Sequence, residues 1–62
     1  MTPQELITIG RELYHFGWQT RLAEALNVEG STVRRWIAGK HPIPGPAETA
    51  LRLLLEKKRN GT

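Results

Sequence analysis

Apolar residues recur along this chain at intervals of three and four, and the recurrence is interrupted in three places. Leu6, Ile9, Gly10, Leu13 and Phe16 share one face of a first helix. Thr2-Pro3-Gln4-Glu5 ahead of them is a helix start. Thr2 caps, Pro3 suits the first helical position, and Glu5 completes a capping box. Gly17 suits a left-handed stop. A second helix runs from about Gln19 to Leu26, with Leu22, Ala23 and Leu26 on one face. Asn27 tolerates left-handed backbone and so suits a sharp turn. A third helix runs from about Gly30 to Ala38, with Val33, Trp36 and Ile37 inward and Gly39 ending it. Lys40 to Gly45 holds two prolines and a glycine and reads as a loop. Pro46 starts a fourth helix on which Ala47, Ala50, Leu51, Leu54 and Lys58 share a face. The pattern contains no strand and no repeat. It predicts a compact all-α domain of four to five helices over residues 1–58, with a flexible tail at 59–62.

Three apolar residues fall outside this scheme. Leu53 and Leu55 lie beside or beyond the inward face of the fourth helix, and Ile7 is extra on the first. A second apolar surface of this kind predicts a dimer contact through Leu53, Leu55 and Ile7. The alternative is a wider core stripe. Size gives the dimer weight. A 62-residue chain buries only about 60% of its unfolded surface. It has no cysteine, which removes disulfides and cysteine-based zinc sites as supports. No apolar run approaches the ~20 residues that span a membrane. Met1 to Glu5 is polar without Lys or Arg, unlike a secretory leader. A cytoplasmic protein is the simplest expectation.

Charge sharpens the picture. The formal net charge is +3, but it is unevenly spread. Met1 to Gly30 carries four glutamates against Arg11 and Arg21, a net of −2. Ser31 to Thr62 carries seven Lys and Arg against Glu48 and Glu56, a net of +5. No acid lies between Gly30 and Ala47. A basic half on a small domain suits a polyanionic partner, although solubility alone accounts for it equally well.

The pattern around the turn points further. Two short helices joined at Asn27, the second bearing Arg34 and Arg35 beside Trp36, are the parts of a helix-turn-helix DNA reader. Ala23 offers a small side chain where the two helices cross, and Gly30 permits close backbone approach. With Val33, Trp36 and Ile37 inward, Ser31, Arg34 and Arg35 occupy other faces. An arginine donates two parallel hydrogen bonds to guanine O6 and N7. Neighbouring helical residues differ by about 100°, so one arginine can read a base while the other grips phosphate. Trp18 either staples the first two helices or flanks DNA. Thr32 bonds either a phosphate or its own helix backbone. Lys57-Lys58-Arg59 fits a solvated helix end, where positive charge suits the dipole.

The chain resembles the lambda-repressor-like (Cro-like, Xre family) helix-turn-helix proteins. Gln19, Leu22-Ala23, Leu26, Val28, Val33, Trp36 and Gly39 carry the resemblance. It extends through Lys40-His41-Pro42-Ile43-Pro44 and Leu51-Arg52-Leu53-Leu54. The resemblance implies that Glu29, Gly30, Ser31, Arg34 and Arg35 face bases in the groove. It implies that Gln19 and the loop at Lys40 and His41 meet phosphates; Thr32 is a further phosphate candidate on its own chemistry. Its other implications are a homodimer on an inverted-repeat operator of double-stranded DNA and repression as the action, as in small phage and mobile-element autorepressors. The chain departs from the family in four ways. Asn27 stands for the usual glycine, Glu29 for a Ser or Thr cap, and Trp18 for the cap before the second helix; the fifth helix is missing. Glu29 repels phosphate but can accept a bond from cytosine N4.

Catalysis and metals find little support. There is no Asp, no Cys and a single Ser, so no Ser-His-Asp arrangement exists. Glu12 and His15 have the Glu-x-x-His spacing of di-metal bundles, but such sites need further carboxylates. The reading is of a non-enzymatic protein with no cofactor, no metal, no small-molecule ligand and no membrane partner. Two other classes stand beside the regulator: the DNA-binding antitoxin of a toxin-antitoxin pair, and a helical protein-interaction module without a DNA role.

Overall fold

A computed structural model describes residues 1–61. It contains four helices in chain order, α1 (Pro3–Tyr14), α2 (Trp18–Leu26), α3 (Gly30–Ile37) and α4 (Gly45–Arg59), and no strand among the described residues. The start of α1 follows the capping-box expectation. The Thr2 hydroxyl accepts from the Glu5 amide at 3.1 Å, and the Thr2 amide donates to the Glu5 carboxylate at 2.9 Å. Those two bonds, the backbone one foremost, hold Glu5 below the ordinary value of 4.5.

α1 is the central support. It packs against α2, α3 and α4, while α2 packs on α3. Leu6, Ile9, Leu22, Ala23, Val33, Trp36, Leu51 and Leu55 form one buried core with Trp18. Leu26, Val28, Ile37, Ile43 and Ala47 pack around it. Trp18 staples α1 to α2. A Cβ built on Gly10 would stand only 2.1 Å from the Trp18 ring. The Gly10 position is therefore vacant because the indole fills it. Alanine there would gain about 1 kcal/mol of helix propensity. That gain is small beside the displacement of a buried aromatic ring.

Both ends that flank α3 are closed by the same device. The Val28 amide bonds the Ala23 carbonyl at 2.9 Å and the Asn27 amide bonds that of Glu24 at 3.1 Å. Asn27 itself is left-handed, at φ 57° and ψ 44°. This is a Schellman closure, with Asn27 filling the place usually given to glycine. At the other end the Lys40 amide bonds the Arg35 carbonyl at 3.0 Å, the Gly39 amide bonds that of Trp36 at 3.1 Å, and Gly39 has φ 76°. The turn between α2 and α3 is thus three residues long, Asn27, Val28 and Glu29.

Several expectations are corrected. Phe16 is not on the buried face of α1; it is 96% exposed. The helix ends at Tyr14 because His15 leaves helical geometry, at φ 56° and ψ −118°, so the register breaks before Phe16. Gly17 is left-handed as foreseen, but it precedes α2 rather than stopping α1. Leu55, expected beyond the inward face, is 8% exposed and belongs to the core. Ile7 is half-buried against the same core. Both follow the wider-stripe alternative. Of the three residues assigned to a second apolar surface, only Leu53 remains open, at 60%. α4 continues through Arg59, one residue into the segment expected to be a tail, and Thr62 lies outside the described residues. No helix among the described residues is long and apolar enough to cross a membrane.

Candidate nucleic-acid interface

The inward anchors of α3 decide what its other side presents. Val33 and Trp36 are buried and Ile37 is half-buried. At about 100° per residue, Ser31, Arg34, Arg35 and Ala38 then cluster on the opposite side. Arg34, Arg35 and Ala38 are exposed and Ser31 is half-buried. Ala38 was not singled out from sequence, although its spacing from Ser31, Arg34 and Arg35 contained the signal. Its methyl group leaves the outer face of the helix low at that end.

The two arginines have different surroundings. Arg34 turns back along the helix, and its Nη1 lies 3.4 Å from the point a Cβ on Gly30 would occupy. The guanidinium thus lies against the first turn of the helix, at a distance a side chain on Gly30 would also tolerate. Arg35 instead lines an open groove of about 520 Å³ with Thr32, His41, Pro42 and Pro44, over a floor of Val28 and Trp36. Lys40 is held beside this groove by its amide bond to the Arg35 carbonyl. The structure thus brings Arg34 to Gly30, and Arg35 to Thr32 and His41. Gln19 is exposed in the first turn of α2. Pro42 and Pro44 were read from sequence as loop-formers only; the structure makes them one wall of the groove.

The N-terminal end of α3 is open. Glu29 occupies the cap position with extended backbone, at φ −78° and ψ 151°, but its side chain makes no capping bond. Its carboxylate instead accepts a hydrogen bond from the Ser31 hydroxyl at 3.4 Å. α2 likewise begins without a side-chain cap and without an acid in its first turn. Uncapped amides and the helix dipole favour an anion at such ends.

Ion pairing separates the basic residues into two groups. Arg52 pairs with Glu48 at 3.1 Å and approaches Glu5 at 3.7 Å. Arg59 grips Glu12 at 2.9 and 3.2 Å. Lys58 donates to the carbonyls of Glu12 and Leu13 at the end of α1 and lies 3.5 Å from His15 Nε2. The Glu12 carboxylate, the candidate metal ligand, is therefore engaged by Arg59, whose hydrogen bond holds it below 4.5. Glu48 is also held low, by its bonds to the Met1 amine and then to Arg52. By contrast, Arg34, Arg35 and Lys40 have no carboxylate partner among the described residues, and neither do Arg11 on α1 and Arg21 on α2. No protein-family model, curated protein or solved structure matches the chain.

Proposed function

We propose that this chain is a sequence-specific regulator that binds double-stranded DNA through α3, in the manner of lambda-repressor-like helix-turn-helix proteins. One observation carries the reading. Arg34, Arg35 and Lys40 are exposed on and just beyond a single short helix, and none has an acidic partner among the described residues. An α-helix fits the major groove of B-DNA, and cations left without internal partners can displace counterions from phosphate. The division of surroundings suggests a division of labour. Arg34 is the base reader. Arg35, Lys40, His41 and Thr32 take phosphate on one flank, and Gln19 takes it on the other.

A homodimer on an inverted repeat completes the proposal. Two α3 helices about 34 Å apart would meet the groove one turn apart. Leu53 is the exposed apolar residue available for that contact on α4. The action proposed is repression, by occupying a promoter. The experiment is a titration of the protein against the DNA upstream of its own reading frame and against a scrambled duplex, at several salt concentrations. Preference for the upstream duplex, weakening linearly with log salt, is the expected result. Equal, weak binding to both with no footprint would favour a protein-interaction module instead.

A further inference from the structure

The floor under Arg35 continues past the helix that carries it. Val28, Trp36 and Pro44 line the groove beside Arg35 and also line a second hollow of about 370 Å³. That hollow runs between the end of α2 and the start of α4, with Ala25 and Leu26 on one wall and Pro46, Ala47 and Ala50 on the other. The shared residues join the two into one channel. Its ends differ in chemistry. Toward the loop after α3 it offers Thr32, Arg35 and His41; between α2 and α4 it offers apolar side chains alone. No acid lines either part. The alanines leave the apolar end open, and Pro44 and Pro46 fix the backbone of its rim, so little ordering is needed when something enters.

A matching occupant is apolar at one end and acidic at the other. DNA meets only half of that description. Phosphate suits Arg35 and His41, but a duplex backbone is polar along its length and has nothing to bury against Leu26, Ala47 and Ala50. A second copy of this chain carries a net charge of +3, the sign of the rim. We propose that the channel docks an acidic, amphipathic segment of a partner protein. Its apolar side chains lie over Val28 and Trp36 between α2 and α4, and its carboxylate meets Arg35 and His41. Apolar burial supplies the affinity and the charge pair sets the direction of the segment. Arg35 and His41 are also the proposed phosphate contacts, so the docked segment releases DNA. The docking stands on the channel itself; only the release rests on the DNA-binding reading above.

The test is selection of peptides from a random displayed library on the full chain, then titration of the recovered peptide, with a melting curve for each variant to show that it folds. Recovered sequences should join apolar residues to Asp or Glu. Ala50→Gln keeps a good helix former on α4 and fills the apolar end. It should weaken the peptide by roughly tenfold or more and leave binding to the upstream duplex unchanged. Arg35→Ala should weaken the peptide by about two- to fivefold and weaken the duplex as well. The peptide should displace the upstream duplex from wild type. Peptides that lack acid and bind Ala50→Gln as tightly as wild type would overturn the docking site. Recovery of no peptide would do the same, and a shift of Ala50→Gln toward monomer in sedimentation would then give the channel to a second copy. A peptide that binds in the channel while the duplex stays bound would contradict the release. A free chain that binds no duplex would instead overturn the DNA-binding reading and leave the docking untouched.

Discussion

Two stretches of this molecule are equally basic on paper and differ in what they can do. The end of α4 carries Lys57, Lys58 and Arg59, and α3 with its cap carries Arg34, Arg35 and Lys40. In the first stretch the cations are used inside the fold. Lys58 covers the carbonyls that close α1, and Arg59 clasps Glu12, so the two residues bind the last turn of α4 to the last turn of α1. In the second stretch no acid lies in the eighteen residues from Gly30 to Ala47. Available charge, rather than counted charge, separates a structural latch from the proposed binding surface. Sequence counts the ions; only the fold shows which of them already have a partner.

The largest expected effect removes the frame that orients both stretches. Trp18→Ala should cost about 3–5 kcal/mol. A chain of this length has a total stability of about 3–9 kcal/mol, so chemical denaturation should find the variant largely unfolded or close to it. A cooperative transition near the wild-type midpoint would show that the Trp18 contact with Gly10 matters less than its geometry implies.

Next comes Arg34, the proposed base reader. Arg34→Ala should weaken binding to the preferred duplex by about 1–3 kcal/mol while leaving the melting temperature alone. Non-specific DNA should be far less affected. Equal loss on both duplexes would move Arg34 to the phosphate group. Leu53→Glu should shift the protein toward monomer in sedimentation; an unaltered dimer would place the contact elsewhere on the surface.

The smallest effect falls on the α4 latch, whose Glu12 is one of three carboxylates that shape the pH dependence. Hydrogen bonds to Arg59, Thr2 and the Met1 amine hold Glu12, Glu5 and Glu48, respectively, below 4.5 in the folded chain. A carboxylate with a lowered folded value binds its proton more readily when unfolded. Its contribution is therefore complete above about pH 4.5 and is lost as acid protonates it below that value. Thermal melts should be flat near neutrality and fall below about pH 4.5. Arg59→Ala should reduce the part of that fall due to Glu12. A fall of undiminished size would mean that the Glu12–Arg59 pair contributes nothing in solution, as many exposed pairs do.

Much of this arrangement was readable from residues. Thr2, Pro3 and Glu5 predicted the start of α1, Asn27 and Gly39 the left-handed closures, and Val33 and Trp36 the buried side of α3. Those features depend on neighbours within five positions, where local rules hold. What was not readable depends on distant partners or a single broken turn. Phe16 fits the helical spacing perfectly, and only the departure of His15 from helical backbone exposes it. Leu55 lies four residues after Leu51 and fits the core as well as Leu54 does; packing against α1 made the choice. The start of α3 was half visible. Glu29 stood out as an unusual cap, but the return of Arg34 toward Gly30 is a side-chain path that sequence does not contain.

The contrast between the two basic stretches has one direct measurement, the salt dependence of DNA binding in two double variants. Each phosphate contact contributes about 0.9 to the slope of log affinity against log salt. Arg35→Ala with Lys40→Ala should lower that slope by about two, and Lys58→Ala with Arg59→Ala should leave it unchanged. A slope lowered equally by both pairs, or only by the α4 pair, would contradict the assignment of the DNA surface to α3.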